Sequence, residues 1–350
     1  MDSIQQLIQQ ARQQDCSDIH LTPGYPPYFR KVGDLICSQQ PAEASETEEK
    51  ILALLNDQQK QAVAAGRDVD FCYVTNAGRQ RVNVYRQRGK LACAIRLLNA
   101  QIPTLDTLQL PSVLKKLALL PRGLILVTGP TGSGKSTTLA AMVDYINQNR
   151  NAHILTIEDP IEYEHHNQKC LIHQRELGQD VQTFAGALRS ALREDPDVIL
   201  VGEMRDYETI SAALTAAETG HLVLSTLHTI GASSTIDRII DVFPSEGQHQ
   251  VRAQLSAVLQ GVITQQLLPT VDGLNRVAAL EILTGSDAVR NLIRDNKCHQ
   301  LSSMMQTSAK EGMQTLSQDL ARLVNTQKIT PQTALAAAPS PQELRQFMIG

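Results

Sequence analysis

The segment GLILVTGPTGSGKSTT, residues 123–138, sets the architecture expected for much of this chain. Its apolar run LILV predicts a buried strand, and a helix is expected to begin at Lys135. Between the two, Gly129, Gly134, Lys135 and Ser136 satisfy the spacing G-x-x-x-x-G-K-[ST]. Glycines at such a turn let backbone N–H groups point inward around phosphate oxygens, and the helix N-terminus adds the positive end of its dipole. The segment therefore predicts a site for a nucleoside triphosphate.

The same loop gives separate roles to two side chains. Lys135 would reach the β- and γ-phosphates, and the hydroxyl of Ser136 would bind Mg²⁺. We therefore expect ATP and Mg²⁺ as the cofactors. The residues predicted to contact the nucleotide are Gly129, Pro130, Thr131, Gly132, Ser133, Gly134, Lys135, Ser136 and Thr137.

A nucleotide hydrolase of this kind also needs a second strand that ends in acidic residues, one for the metal and one for the attacking water. The run DVILVGEMRD, residues 197–206, predicts a strand that ends in Gly202 and Glu203. We assign Glu203 as the base that orients the water. Because a glycine stands where the metal-side aspartate is usual, the metal requires carboxylates from elsewhere in the chain.

Further polar groups follow two other predicted strands. The segment TIEDPIEYE, residues 156–164, supplies Glu158, Asp159 and Glu162 just past the strand expected in HILTIE. At the carboxyl ends of parallel strands these groups would face the phosphates, so we expect them to hold Mg²⁺ or its waters and count Glu162 among the catalytic residues. His228 follows the strand expected in GHLVLSTLHT. There it could donate a hydrogen bond to the γ-phosphate and sense its departure.

The first hundred residues predict a small α+β domain. Residues 3–14 place Ile4, Leu7, Ile8 and Ala11 at helical spacing. The other elements expected here are short strands in CSDIHL and TPGYPPYFRKVGDL, a second helix near residues 46–64, and an antiparallel meander of DVDFCYVT, RQRVNVYRQ and LACAIRLLN.

The remainder of the chain predicts a different architecture. Residues 99–112 contain two prolines and no sustained period, which is typical of a linker. After them, short apolar runs alternate with helical patterns of about 10–15 residues, which predicts a mostly parallel sheet flanked by helices. Beyond about residue 247 the pattern is largely helical. We therefore predict an α/β fold with an N-terminal domain over residues 1–98, the linker, and an ATPase domain over residues 113–350.

Composition restricts the classes of function. The net charge is -4, aromatic residues are only 3% of the chain, and no Lys/Arg-rich block occurs, which disfavours direct nucleic-acid binding. The apolar stretches are far shorter than the roughly 20 residues that cross a bilayer, so we expect no transmembrane segment and a cytosolic chain without a leader. The six cysteines form no C-x-x-C pair and are expected to be reduced thiols.

Several segments together carry a resemblance to a known family. GPTGSGKSTT, HILTIEDPIEY, SALREDPDVILVGEMRDYETI and TAAETGHLVLSTLHT resemble the four signature boxes of the type II/type IV secretion ATPase superfamily. SDIHLTPGYPPYFRKVGDL, RQRVNVYRQRG, IDRIIDVFP, RVAALEIL and GMQTLSQDL extend the resemblance to PilT-type retraction ATPases of type IV pili. The most discriminating piece is AVRNLIRDNK, residues 288–297, which is similar to a stretch typical of retraction motors.

The resemblance implies a RecA-like ATPase domain with a PAS-like N-terminal domain, assembled as a homo-hexamer with ATP between subunits. It implies that hydrolysis drives domain rotations, which are passed to a polytopic inner-membrane platform protein so that pilin subunits leave the fibre. The motor would be cytoplasmic and peripheral at that membrane, with an accessory retraction ATPase as a further partner. Arg81, Arg96 and Arg238 match arginines that approach the phosphates, where a guanidinium can neutralise the charge of the transferring phosphoryl group.

Three alternatives stay open at this point. An ATPase for pilus assembly or type II secretion usually carries a longer N-terminal region and a tetracysteine zinc module, which this sequence lacks. A RecA-like nucleic-acid motor fits poorly with the acidic balance of the chain. A ring that binds nucleotide without hydrolysis would have no need of Glu203 poised on a water.

Overall fold

The computed structural model of this chain describes residues 3–31, 34–38, 44–98 and 101–348. The chain forms two compact units. The N-terminal unit runs to Gln101 and also includes Pro160–Glu164, and the C-terminal unit holds Ile102–Asp159 and the chain from His165 onward. Of the predicted linker, Asn99 and Ala100 lie outside the described residues, whereas Leu105 and Leu110 are buried in the core of the C-terminal unit.

The N-terminal unit is a single antiparallel sheet with helices. Its described elements, in chain order, are α1 (Ile4–Gln13), β1 (Asp18–Leu21), β2 (Tyr28–Lys31), β3 (Asp34–Cys37), α2 (Ala44–Ala53), α3 (Asp57–Ala64), β4 (Val69–Thr75), β5 (Gly78–Gln87) and β6 (Lys90–Leu97). Within the described residues the strand order is β3-β2-β1-β6-β5-β4, and every neighbouring pair is antiparallel. The predicted α+β architecture and its meander are therefore confirmed.

The helices of this unit partly follow the prediction. Helix α1 buries Ile4, Leu7, Ile8 and Ala11, the four residues at helical spacing. The single helix expected near residues 46–64 is wrong, because the chain forms α2 and α3 instead. The break has a local cause: Asn56 caps α3, its side chain accepting from the Gln59 N–H at 2.8 Å while its own N–H donates to the Gln59 side chain.

The C-terminal unit alternates strands and helices. Its described elements are α4 (Val113–Ala118), β7 (Gly123–Thr128), α5 (Lys135–Asn149), β8 (His153–Glu158), β9 (Leu171–Glu176), α6 (Phe184–Ala191), β10 (Val198–Val201), α7 (Tyr207–Glu218), β11 (Leu222–Leu227), α8 (Ala232–Asp241), α9 (Gln248–Val258), β12 (Leu259–Pro269), β13 (Arg276–Thr284), α10 (Asp287–Arg294), α11 (Leu301–Thr307), α12 (Leu316–Asn325), α13 (Pro331–Ala337) and α14 (Pro341–Met348). Short 3₁₀ helices cover Cys298–Gln300 and Ala309–Glu311.

The sheet of this unit is mostly parallel, as predicted. Its order over the described residues is β13-β12-β7-β11-β10-β8-β9, and β13 alone among them runs antiparallel to its neighbour. Strands β7, β10 and β11 are buried along their whole length, because helices cover both faces of the sheet. The observed architecture comprises the predicted RecA-like α/β domain and an α+β PAS-like domain.

The region beyond residue 247 departs from the largely helical prediction. Helix α9 is followed by the long strands β12 and β13, so the prediction is wrong over residues 259–284 and holds from Asp287 onward. Strand β12 lies inside the sheet between β7 and β13 and is buried on both faces. Burial on both faces removes the alternation by which a strand is distinguished from a helix in sequence.

The Ala/Pro-rich C-terminal segment packs on the C-terminal unit as far as the structure describes it. Ala334 of α13 and Leu344 of α14 are fully buried in a cluster with residues of α12 and β13. Ile349 and Gly350 lie outside the described residues. No helix in the described ranges combines the length and apolar character that crossing a bilayer requires.

Candidate nucleotide site

The carboxyl ends of four parallel strands meet at one edge of the C-terminal sheet, in the order β7, β11, β10 and β8. Gly129 follows β7 directly, and His228 follows β11 directly. Glu203 lies two residues after β10, and Glu158 is the last residue of β8. The edge thus collects the predicted phosphate loop, sensor, base and metal carboxylate, as the strand order of an open α/β sheet requires.

Two loop positions accept only glycine. The backbone of Gly129 has φ 137°, and a Cβ atom there would overlap the carbonyl oxygen of Gln265. Gly134 has φ 88° and caps α5, and its Cβ would lie 2.8 Å from Nε2 of Gln265. Positive φ strains any other side chain at both positions, and at Gly129 a backbone atom also occupies the space.

The loop residues fit a bound nucleotide phosphate and Mg²⁺. Lys135 is buried, and its Nζ donates to the carbonyl oxygens of Gly129 at 2.9 Å and Pro130 at 3.1 Å. A cation is thereby held inside the loop beside the N-terminus of α5, and both favour an anion. Ser136 is exposed in the first helical turn, where its hydroxyl can reach a metal. The buried hydroxyl of Ser133 has no hydrogen-bond partner among the described residues.

Gln265 of β12 supports this loop and was missed by the sequence analysis. Its Nε2 donates to the carbonyl oxygen of Ser133 at 2.6 Å, and its Oε1 accepts from the hydroxyl of Thr138 at 2.7 Å. The side chain is buried, so both bonds are shielded from water. The one available signal was a glutamine pair, QQ, inside an otherwise apolar run, and that run had been assigned to the helical region.

A cavity of about 360 Å³ brings together Glu203, His228 and Arg238. Glu203 is mostly buried, and its Oε2 pairs with Arg205 Nη2 at 2.7 Å. His228 Nε2 lies 3.7 Å from the same oxygen. Arg238 is exposed on α8 and lines the cavity with them. Three residues that sequence analysis had proposed from separate segments therefore share one pocket, and Arg205 is an addition to it.

The predicted metal carboxylates are placed differently from one another. Glu158 Oε1 accepts from the Thr156 hydroxyl at 2.6 Å and from Gln174 Nε2 at 3.1 Å, which orients it at the strand end. Asp159 is exposed directly after it. Glu162 belongs to the segment Pro160–Glu164, which is part of the N-terminal unit.

Arg81 and Arg96 also belong to the N-terminal unit and lie on neighbouring strands, directly opposite each other in the pairing of β5 with β6. Arg81 Nη2 pairs with Asp70 Oδ2 at 2.6 Å, and Arg96 Nε pairs with Asp18 Oδ1 at 3.1 Å. The two arginines thus lie next to each other on one face of that sheet, each paired with an aspartate.

The fold and the loop together define a P-loop nucleotide-binding protein: a phosphate cradle at a helix N-terminus, with a carboxylate and basic groups at the next strand ends. The chain belongs to the type II/IV secretion system protein family, whose model matches residues 1–346.

Individual relatives match along nearly the whole chain. The type IV pilus retractation ATPase PilT of Pseudomonas aeruginosa is 48% identical over 97% of this chain and 99% of its own length. A twitching motility protein of Neisseria gonorrhoeae is 51% identical over 91% of this chain and 86% of its own length. A crystal structure of the pilus retraction motor PilT with bound ADP superposes with a TM-score of 0.93 at 48% identity, covering 99% of this chain and 100% of that one.

Proposed function

We propose that this chain is an ATP-hydrolysing motor that powers the retraction of type IV pili, and hence twitching motility. The observation that carries the proposal is the likeness, along nearly the whole chain, to proteins named for that work. The site supports the chemical half of the proposal, since the phosphate loop is intact and Glu203 follows β10 at the same edge of the sheet.

The residues of the C-terminal unit take the following roles in hydrolysis. The loop backbone from Gly129 and the ammonium of Lys135 bind the phosphates. Ser136, with Glu158 and Asp159, would hold Mg²⁺, which would neutralise phosphate charge when bound. Glu203 accepts a hydrogen bond from the attacking water and orients it in line with the γ-phosphate.

Basic groups act on the charge that develops at the γ-phosphate. His228 and Arg238 line the same cavity as Glu203, so they respond when phosphate leaves. Arg81 and Arg96 of the N-terminal unit supply further positive charge, and Glu162 assists at the metal or its waters. The ion pairs that Arg81 and Arg96 now make would exchange for phosphate contacts.

Mechanical work requires an assembly and a partner. We propose a homo-hexamer at the cytoplasmic face of the inner membrane, in which nucleotide-driven rotations of the units are passed to a polytopic platform protein of the pilus. An accessory retraction ATPase would share the load. Direct binding of nucleic acid has no part in this mechanism.

The decisive experiment compares wild type, Glu203→Gln and Glu208→Gln, the last an exposed carboxylate of α7 as matched control. Glu203→Gln should bind ATP but hydrolyse it about 100-fold more slowly or worse, because the base is lost, and Glu208→Gln should retain wild-type turnover. Full turnover in Glu203→Gln would remove the assignment of the base.

Cellular phenotypes separate the motor from its alternatives. Cells that carry Glu203→Gln in place of wild type should display pili that do not shorten, seen by fluorescence microscopy of labelled pili. Cells without any pili would indicate an assembly ATPase instead. Stimulation of the purified ATPase by DNA would favour a nucleic-acid motor.

A further inference from the structure

Glu281 is a carboxylate in the middle of β13 that the hydrolysis scheme leaves without a role. It stands opposite Thr264 of β12, and Thr264 stands opposite Thr128 of β7, the residue directly before the phosphate loop. Thr128 in turn stands opposite Leu227, which directly precedes His228. Glu281 therefore belongs to the row of residues at which β7 and β11 end and the nucleotide site begins, while β12 and β13 continue past it.

The hydrogen-bond partner of Glu281 is the first turn of α8. Its Oε1 accepts from the backbone N–H of Ala232, the first residue of α8, at 2.7 Å. The backbone N–H of Leu316, the first residue of α12, also faces the carboxylate and lowers its pKa slightly. A negative charge at a helix N-terminus interacts favourably with the helix dipole, and Glu281 supplies such a charge to α8.

Helix α8 has no side-chain cap of its own. Its N-cap residue is Gly231, at φ 93°, so the cap position offers no side-chain oxygen. Glu281 of β13, 49 residues after Ala232 in the sequence, supplies the missing acceptor. The segment between His228 and Ala232 is thus anchored at one end by β11 and at the other by this carboxylate.

We propose that Glu281 is a positioning residue for the nucleotide site, holding the start of α8 so that His228 and Arg238 keep their places in the cavity beside Glu203. The step from Glu281 to the cavity is short: Ala232 begins the helix that carries Arg238, and the turn before it carries His228. Thr235 Oγ1 reinforces this turn, because it donates to the Gly231 carbonyl at 2.8 Å and accepts from the Thr229 hydroxyl at 2.7 Å.

The electrostatic surroundings show that the carboxylate is held at a cost. Burial raises the pKa of Glu281, the Ala232 N–H lowers it, and the charge of Glu343 on α14 raises it further. Burying a carboxylate costs free energy unless it is hydrogen-bonded, so the bond from Ala232 is the contact that offsets this cost.

The inference rests on the proposed ATPase function, and two measurements distinguish a failure of the role of Glu281 from a failure of that function. The first is hydrogen exchange in peptides covering residues 228–238, which needs no turnover. The second is steady-state ATPase activity, with nucleotide affinity measured separately. The variants of the full-length chain are Glu281→Ala, Glu281→Gln and, as control, Asp319→Asn. Asp319 is a buried carboxylate that accepts from the N–H of Leu280, the neighbour of Glu281, at 2.8 Å.

Glu281→Ala should speed hydrogen exchange over residues 228–238 by about tenfold and lower kcat by about tenfold, because a charge-assisted bond to α8 is lost. The affinity for ADP should stay within about twofold of wild type, because the phosphate loop is unchanged. Glu281→Gln keeps an acceptor and should fall between Glu281→Ala and wild type in both readouts. Asp319→Asn should leave exchange over residues 228–238 unchanged.

A double-mutant cycle tests the route. If Glu281 acts through α8, Glu281→Ala should cost little further kcat in an Arg238→Ala background. Unchanged exchange in Glu281→Ala, or an equal effect from Asp319→Asn, would overturn the proposal. If Glu281→Ala does not fold, the same criteria apply to Glu281→Gln. A wild-type chain with no ATPase activity would refute the proposed function, and the exchange result would still decide the role of Glu281.

Discussion

Substituting Gln265 by methionine should weaken nucleotide binding without unfolding the protein. Methionine matches glutamine in length and flexibility but lacks its hydrogen-bonding amide. The variant therefore keeps the contact of β12 with the loop and removes the bonds to the Ser133 carbonyl and the Thr138 hydroxyl. Any change in nucleotide affinity therefore measures the contribution of these two hydrogen bonds and not that of packing against the loop.

The expected size follows from the two bonds. Each buried partner left unpaired costs roughly 1–3 kcal/mol, but the Thr138 hydroxyl can turn to a helix carbonyl, so we take about 2 kcal/mol in total. The free energy of the loop conformation that binds phosphate rises by this amount, and its population drops about 30-fold. Because apparent affinity scales with the competent fraction, the Kd for ADP should rise by about the same factor.

Titration calorimetry with ADP and Mg²⁺ measures the change, and a thermal melt verifies that the variant is folded. The matched control is Gln266→Met, since the next residue of the strand points to the opposite face of the sheet. Its Kd should equal that of wild type. A Gln265→Met protein that melts normally and binds ADP within about threefold of wild type would refute the reasoning.

Two further predictions concern the pH dependence of thermal stability and the role of helix α10. Burial, and then the charge of His166, lowers the pKa of His165 to about 4. The folded chain therefore takes up fewer protons than the unfolded chain as pH falls below 6.5, which lowers the free energy of unfolding by about 2 kcal/mol at pH 5. The variant His165→Asn should therefore show a smaller drop in Tm between pH 7 and pH 5 than wild type. The exposed control His249→Asn should show the same drop as wild type. Alanine at Asn291 and Arg294, both exposed on α10, should spare ATPase activity and abolish pilus retraction; joint loss would indicate a structural role.

Features that depend on residues close in the chain were predictable from the sequence. The phosphate loop is recognised by a fixed spacing from Gly129 to Ser136, and α1 by apolar residues at the helical period. The fold class followed from the rhythm of strands and helices. Prediction failed at two places: the capping box of Asn56 and Gln59, which begins α3, was overlooked, and the burial of β12 on both faces removed the alternation that marks a strand.

The grouping of distant residues was decided by the tertiary structure alone. Glu203, His228 and Arg238 share a cavity because β11 and β10 are neighbours in the sheet and α8 follows directly on β11. Gln265 reaches Thr138 across 127 residues of sequence. Glu281 caps a helix whose own cap is a glycine. Local spacing dictates which backbone turns can bind phosphate, whereas the side chains that hold such a turn in place come from whichever strands the folded sheet sets beside it.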